Sequence, residues 1–78
     1  MNTLETVRGI VAKSLGIPKD RVQAGTSAED LAEWDSLHHF MIVMEIEESF
    51  KFKFQLQELG DLNSVDKFVQ AVERRVAA

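Results

Sequence analysis

Leu4, Val7, Val11 and Leu15 recur at helical spacing, with Ile10 beside them, and predict a first helix. Asn2 or Thr3 can cap its start, and Gly16 followed by Pro18 ends it. From Pro18 to Trp34 the pattern turns irregular and polar, with Gly25, Thr26 and Ser27 inside it. This predicts a long loop, with a turn of helix near Ala28–Leu31 and Val22, Leu31 and Trp34 as anchors. Loops longer than about 12–15 residues are usually functional or packed. A second helix is predicted from Ser36 to Phe50 and a last one from Val65 to about Val76. The inner stripe of the last helix reads Val65, Phe68, Val69, Val72 and Val76. Ser64 suits its cap, Asp66 its first turn, and Arg74 and Arg75 its last turn.

Between the second and last helices, "FKFKFQL" alternates Phe50, Phe52, Phe54 and Leu56 with Lys51, Lys53 and Gln55. Alternation is a strand signature. No other strand pattern exists to pair with it, and a lone strand leaves backbone groups unpaired. The segment is therefore expected to be an extended crossing that pins aromatics onto a helical core, followed by a short helix near Gln57–Gly60. The expected fold is all-α: three main helices, one short helix and a long first loop.

The second helix is apolar on two sides. One stripe is His39, Ile42, Val43, Ile46 and Phe50; the other is Leu37, Phe40, Met41 and Met44, closing on Glu48. At about 100° per residue these lie on roughly opposite faces. The β-branched stripe is the better core, because stiff side chains lose little entropy on packing. The Phe-Met stripe is either a docking surface, for which adaptable methionines suit, or a face covered by the short helix.

Composition narrows the class. The 78 residues fit one domain, 1–78, and 45% hydrophobic with 28% charged residues reads as globular. There is no cysteine, hence no disulfide framework and no thiolate nucleophile or ligand. The start, MNTLETVRGIV, lacks the features of a secretory leader, and no apolar run approaches the roughly 18 residues of a membrane span, so a cytoplasmic protein is expected. Net charge is −4, and Val22 to Phe50 holds Glu29, Asp30, Glu33, Asp35, Glu45, Glu47 and Glu48 without a lysine or arginine. Such a segment disfavours nucleic acid and suits either basic partners or a solvated face.

In "EWDSLHHF", Asp35 is placed to cap the second helix and Ser36 to be its first residue. The pair either only caps or, since the positive end of a helix favours an anion, Ser36 holds a phosphate. His38 and His39 follow too closely to build a triad with Ser36, so modification by another enzyme fits better than self-catalysis. As adjacent helical residues they point about 100° apart and do not chelate one metal. His39 is expected to edge the core and His38 to face water.

"WDSL" at the head of an amphipathic helix, then "IVMEIEESF", then "ELGDLNSVDKFVQAV", resembles the acyl carrier protein family over essentially the whole chain. The resemblance implies that Ser36 takes a phosphopantetheine arm from coenzyme A, moved by a phosphopantetheinyl transferase that holds its own magnesium. Asp35 and Leu37 would flank the attachment site. The arm's thiol would carry an acyl or aminoacyl thioester, so the protein would be a carrier, not an enzyme. Partners would read Leu37, Phe40, Met41, Met44, Glu45 and Glu48; they would include an acyl-activating ligase and condensing or acyltransferase enzymes, with no nucleic acid and no membrane, and a monomer is expected. Trp34, His38 and Met41 stand where the main fatty-acid carriers have a small residue and two acidic ones. That pattern implies a stand-alone carrier of a specialised pathway. An unmodified helical interaction module, docking through the Phe-Met stripe, is the alternative.

Overall fold

The computed structural model describes residues 2–76. Helix α1 spans Thr3–Leu15, α2 Ser36–Phe50 and α3 Val65–Val76, with short 3-10 turns at Lys19–Arg21, Ala28–Asp30 and Leu56–Asp61. The expected all-α architecture holds. The short helix appears as the 3-10 segment at Leu56–Asp61, and the Lys19–Arg21 turn was not anticipated.

Each long helix starts on a local side-chain cap. Asn2 accepts from Glu5 N–H, Asp35 from His38 N–H and Ser64 from Lys67 N–H. Helix α1 ends at Gly16, whose φ of 69° is left-handed. Gly16 N–H and Ile17 N–H return to the Lys13 and Ala12 carbonyls, which satisfies the last turn. Helix α2 ends in the same conformation at Lys51, φ 62°, where a side chain is strained.

Helix α1 packs on both α2 and α3. Val7, Val11, Ile42, Ile46, Phe68 and Val72 are wholly buried between them. The long loop is held at its three expected anchors, Val22, Leu31 and Trp34, all buried. It is also laced to the start of α3. Ala28 N–H donates to the Asn63 carbonyl and Val65 N–H to the Thr26 carbonyl, each at 2.9 Å, around an isolated bridge between Ser27 and Ser64. Arg8 on α1 fixes the other end of the loop by donating to the Val22 and Lys19 carbonyls.

The alternating segment crosses the bundle without becoming a strand. Its backbone finds other partners: Phe54 N–H donates to the Glu47 side chain at 2.8 Å, and Phe52 N–H to the Glu47 carbonyl at 3.2 Å. Glu47 thus stands in for a neighbouring strand. Phe52 and Phe54 meet edge-on at 4.8 Å between centroids, and Phe54 packs on Phe68. The Arg75 guanidinium lies 4.7 Å above the Phe52 ring and is paired with Glu58.

Two positions depart from the pattern. Leu56 is 84% exposed, because the 3-10 turn begins there and ends the alternation. Val76 is 65% exposed and does not join the inner stripe of α3; Ala71 does. The inner face runs out one turn before the helix ends, where Arg75 folds back onto the crossing segment.

The two faces of α2 have separate environments. Ile42, Val43 and Ile46 are buried, while Phe40, Met41 and Met44 are exposed. Ile46→Ala should therefore cost about 2–5 kcal/mol, as for other large-to-small core changes. Met41→Ala should cost about 0.5 kcal/mol or less, as at ordinary surface sites. Urea denaturation midpoints for the two variants check this assignment, and equal losses would reverse it.

Candidate site at the head of helix α2

The loop reaches α2 through Trp34, which is buried and stacked on Phe68 of α3 at 6.4 Å between centroids. The chain then turns outward. Asp35 keeps an extended backbone, φ −96° and ψ −174°, as an N-cap must. Ser36 follows as the first helical residue and is exposed. Its hydroxyl therefore stands at the positive end of a 15-residue helix.

Asp35 is held from one side. Its Oδ1 accepts from His38 N–H at 2.9 Å, and His38 Nδ1 lies 2.7 Å from the same oxygen. An ionised carboxylate only accepts, so His38 Nδ1 bears the hydrogen. The His38 backbone N–H, then its ring, hold the Asp35 carboxyl below its usual value, so it remains ionised beside Ser36 at neutral pH.

His39 faces the other way. The Trp34 Nε1–H donates to His39 Nδ1 at 3.0 Å, and the two rings stack. His39 therefore edges the core, as expected, whereas His38 is spent on Asp35 instead of simply facing water. The two adjacent histidines engage different partners. Among the described residues no cluster of three or more His, Asp or Glu could hold a metal ion.

Beside Ser36 lies an open groove of about 460 Å³, lined by Ala28, Trp34, Asp35, Ser36, His39 and Asn63. Ala28 and Asn63 are brought to it by the hydrogen bond that laces the loop to α3. Neither was legible as a site residue, because nothing local in sequence links them. The Trp34–His39 pair was also missed, although each partner's burial was read correctly. Leu37 is 66% exposed and lies outside the groove lining, on the ridge formed with Phe40, Met41 and Met44. The short helix leaves Phe40 60% and Met44 52% exposed, so the covered alternative for this stripe does not hold.

The acidic stretch is less available than its composition implied. Glu33 pairs with Arg21 at 3.0 Å, Asp30 accepts from Ser27 N–H, Glu47 caps Phe54, and Asp35 holds His38. Glu45 and Glu48, on α2 beside the ridge, remain exposed. No described helix is long and apolar enough to cross a membrane.

No family model matches the chain. Curated relatives do. It is 33% identical over 75 residues to the acyl carrier protein of Streptococcus pyogenes serotype M1, covering 96% of this chain and 97% of the relative. It is 32% identical over 75 residues to that of Streptococcus thermophilus. The solution structure of a holo acyl carrier protein from Geobacter metallireducens superposes with a TM-score of 0.85 at 31% identity, covering 99% of this chain and 88% of that one. Identity of 33%, near-complete coverage in both directions and a shared helical fold agree: the chain belongs to the acyl carrier protein family.

Proposed function

We propose that Ser36 is the attachment point of the phosphopantetheine arm on which this carrier bears its acyl or aminoacyl group. The observation that carries the proposal is the exposed Ser36 hydroxyl as the first residue of α2, next to an ionised Asp35. The residues suit the group. The first-turn N–H groups and the helix dipole favour a phosphodiester at this oxygen. Asp35 takes one first-turn N–H for itself, which leaves the others facing out. The groove beside Ser36 offers room for a flexible chain leaving the hydroxyl.

In the transfer, Ser36 Oγ bonds to the phosphorus that bears pantetheine in coenzyme A. The pyrophosphate P–O bond breaks, the adenosine bisphosphate leaves, and the serine proton passes to a base of the transferase. Asp35, fixed by His38, holds the first turn in shape and presents a carboxylate to a basic transferase surface. Once attached, the arm supplies a thiol that carries the acyl group as a thioester. Residues 1–78 act as one carrier domain, monomeric and cytoplasmic in this reading.

The ridge of Leu37, Phe40, Met41 and Met44, edged by Glu45 and Glu48, is the surface read by partner enzymes. Its centre is apolar where an acidic residue would suit a basic patch. This supports a specialised set of partners, acyl-activating ligases and condensing or acyltransferase enzymes, over the housekeeping synthase.

Incubation with coenzyme A and a broad-specificity transferase should add one phosphopantetheine mass to the peptide containing Ser36. Ser36→Ala should abolish the gain and keep the helical spectrum. A wild-type mass that never shifts would favour the unmodified interaction module, which the exposed ridge also fits.

Asp35→Ala should lower the denaturation midpoint through loss of the cap and slow arm transfer as well. The Asp35 contribution should be fully present above its unfolded value near 3.8 and fade as pH falls through its lower folded value. A lowered midpoint with normal transfer would reduce Asp35 to a cap.

Met41→Glu adds a carboxylate near Ser36. It should improve use by a fatty-acid synthase ketosynthase and impair the native partner, since interface charges act on encounter and specificity. Acyl-transfer rates with the two partners decide; equal changes with both would remove the charge argument.

A further inference from the structure

The stretch from Trp34 to His39 begins and ends with two side chains that hydrogen-bond to each other, at 3.0 Å. Asp35 and Ser36 lie between them, and all four residues line the same groove. The bond ties the loop before the site to the helix after it. Both rings also rest on Phe68, at 6.4 Å for Trp34 and 5.8 Å for His39, so the tie is anchored on α3. We propose that the Trp34–His39 hydrogen bond is a pH-sensitive clasp that positions Asp35 and Ser36 for arm transfer. The proposal rests on Ser36 as the attachment serine. His39 is here a positioning residue that touches neither coenzyme A nor the reacting atoms.

The chemistry of the two rings makes the clasp conditional on protonation. An indole N–H only donates. His39 Nδ1 must therefore be bare, and the imidazole proton sits on Nε2. A protonated His39 would set one N–H against another, and the bond would open. The neighbouring His38 has the reverse arrangement, with Nδ1 donating to Asp35.

The surroundings favour the neutral ring. Burial lowers the His39 pKa below its ordinary value of 6.5, opposed in part by the Leu59 backbone carbonyl. Two charged groups beside it have partners of their own. Asp35, on the groove, is engaged by His38, and Glu58, next to Leu59 on the 3-10 segment, is engaged by Arg75. From α3 the packing partner is the uncharged Phe68.

The sign follows from linkage. The unfolded chain takes up the proton near 6.5 and the folded chain only at lower pH. Stability from the clasp is fully present above 6.5 and declines as pH falls through that value toward the folded pKa. Opening frees Trp34, loosens the Asp35 cap and lets the first turn of α2 fray, since helix ends are the low-stability part of a fold.

Trp34 is the sole tryptophan, so its indole Nε1–H gives a single resonance to follow by NMR. That resonance should hold a hydrogen-bonded shift at about pH 7.5 and move in one single-proton step below about pH 6.5. His39→Asn places a carbonyl oxygen near the former Nδ1, accepts from the indole and does not titrate. Its indole resonance should stay flat over the same range.

Arm transfer from coenzyme A is then measured for both proteins with one transferase, so that the transferase's own pH profile divides out. The ratio of wild-type to His39→Asn rate should fall about 2–10-fold between about pH 7.5 and 5.5, the worth of one net hydrogen bond. A flat indole resonance in the wild type overturns the clasp without recourse to any variant. A titrating resonance with a constant rate ratio overturns the positioning role. A wild-type chain that takes no arm at any pH overturns the Ser36 reading itself, a result distinct from both.

Discussion

Phe68 is where the separate parts of this chain meet. It is wholly buried on α3 and packs against Trp34 from the long loop, His39 from α2 and Phe54 from the crossing segment. A chain of this size buries a small core, and aromatic rings supply the most apolar area per residue. Three segments that do not belong to α3 are thereby fixed around one ring. The head of α2 inherits its position from that contact, because Trp34 immediately precedes Asp35 and Ser36. A rigid support under an exposed serine suits the proposed arm attachment, for which the hydroxyl must be reachable while its backbone stays put.

Helix α2 carries two further demands at once. Its β-branched face completes the core, and its other face leaves Leu37, Phe40, Met41 and Met44 in water. Contiguous exposed apolar ridges are unusual on protein surfaces, which supports the docking role proposed for this one. The charges beside it are few, because much of the acidic stretch is turned inward on the chain's own donors. Asp30, Glu33, Asp35 and Glu47 each serve a cap, a loop tie or an orphan backbone N–H. Recognition at this surface, as proposed, would be led by shape and apolar contact, with Glu45 and Glu48 at its edge.

The crossing segment shows how a strand-like pattern resolves when no partner strand exists. Backbone donors that cannot be left dry turn to the nearest acceptors, and Glu47 provides two, its carbonyl and its carboxylate. Lys51 enters the left-handed region to make the turn, and Arg75 seals the two phenylalanines from the other side. The alternation is thus real as a pattern of burial for Phe52 and Phe54 and ends at Leu56, where the next turn redirects the chain.

By itself the sequence determined the three long helices, their caps, the two apolar stripes of α2 with the β-branched one as the better core, and the placing of Asp35 and Ser36 at a helix start. It also carried the family resemblance. All of these rest on residues within about four positions of one another, where helix geometry alone dictates which groups meet. Only the tertiary structure decided that the Phe-Met ridge stays uncovered, that Ala28 and Asn63 border the groove, that Glu47 caps Phe54, and that Val76 and Leu56 lie in solvent. It also decided that Trp34 donates to His39 and so sets that ring's tautomer. Those outcomes depend on the path of the loop and of the crossing segment, which bring together groups that no local periodicity relates, and on competition for buried hydrogen bonds that is settled only once the core has closed.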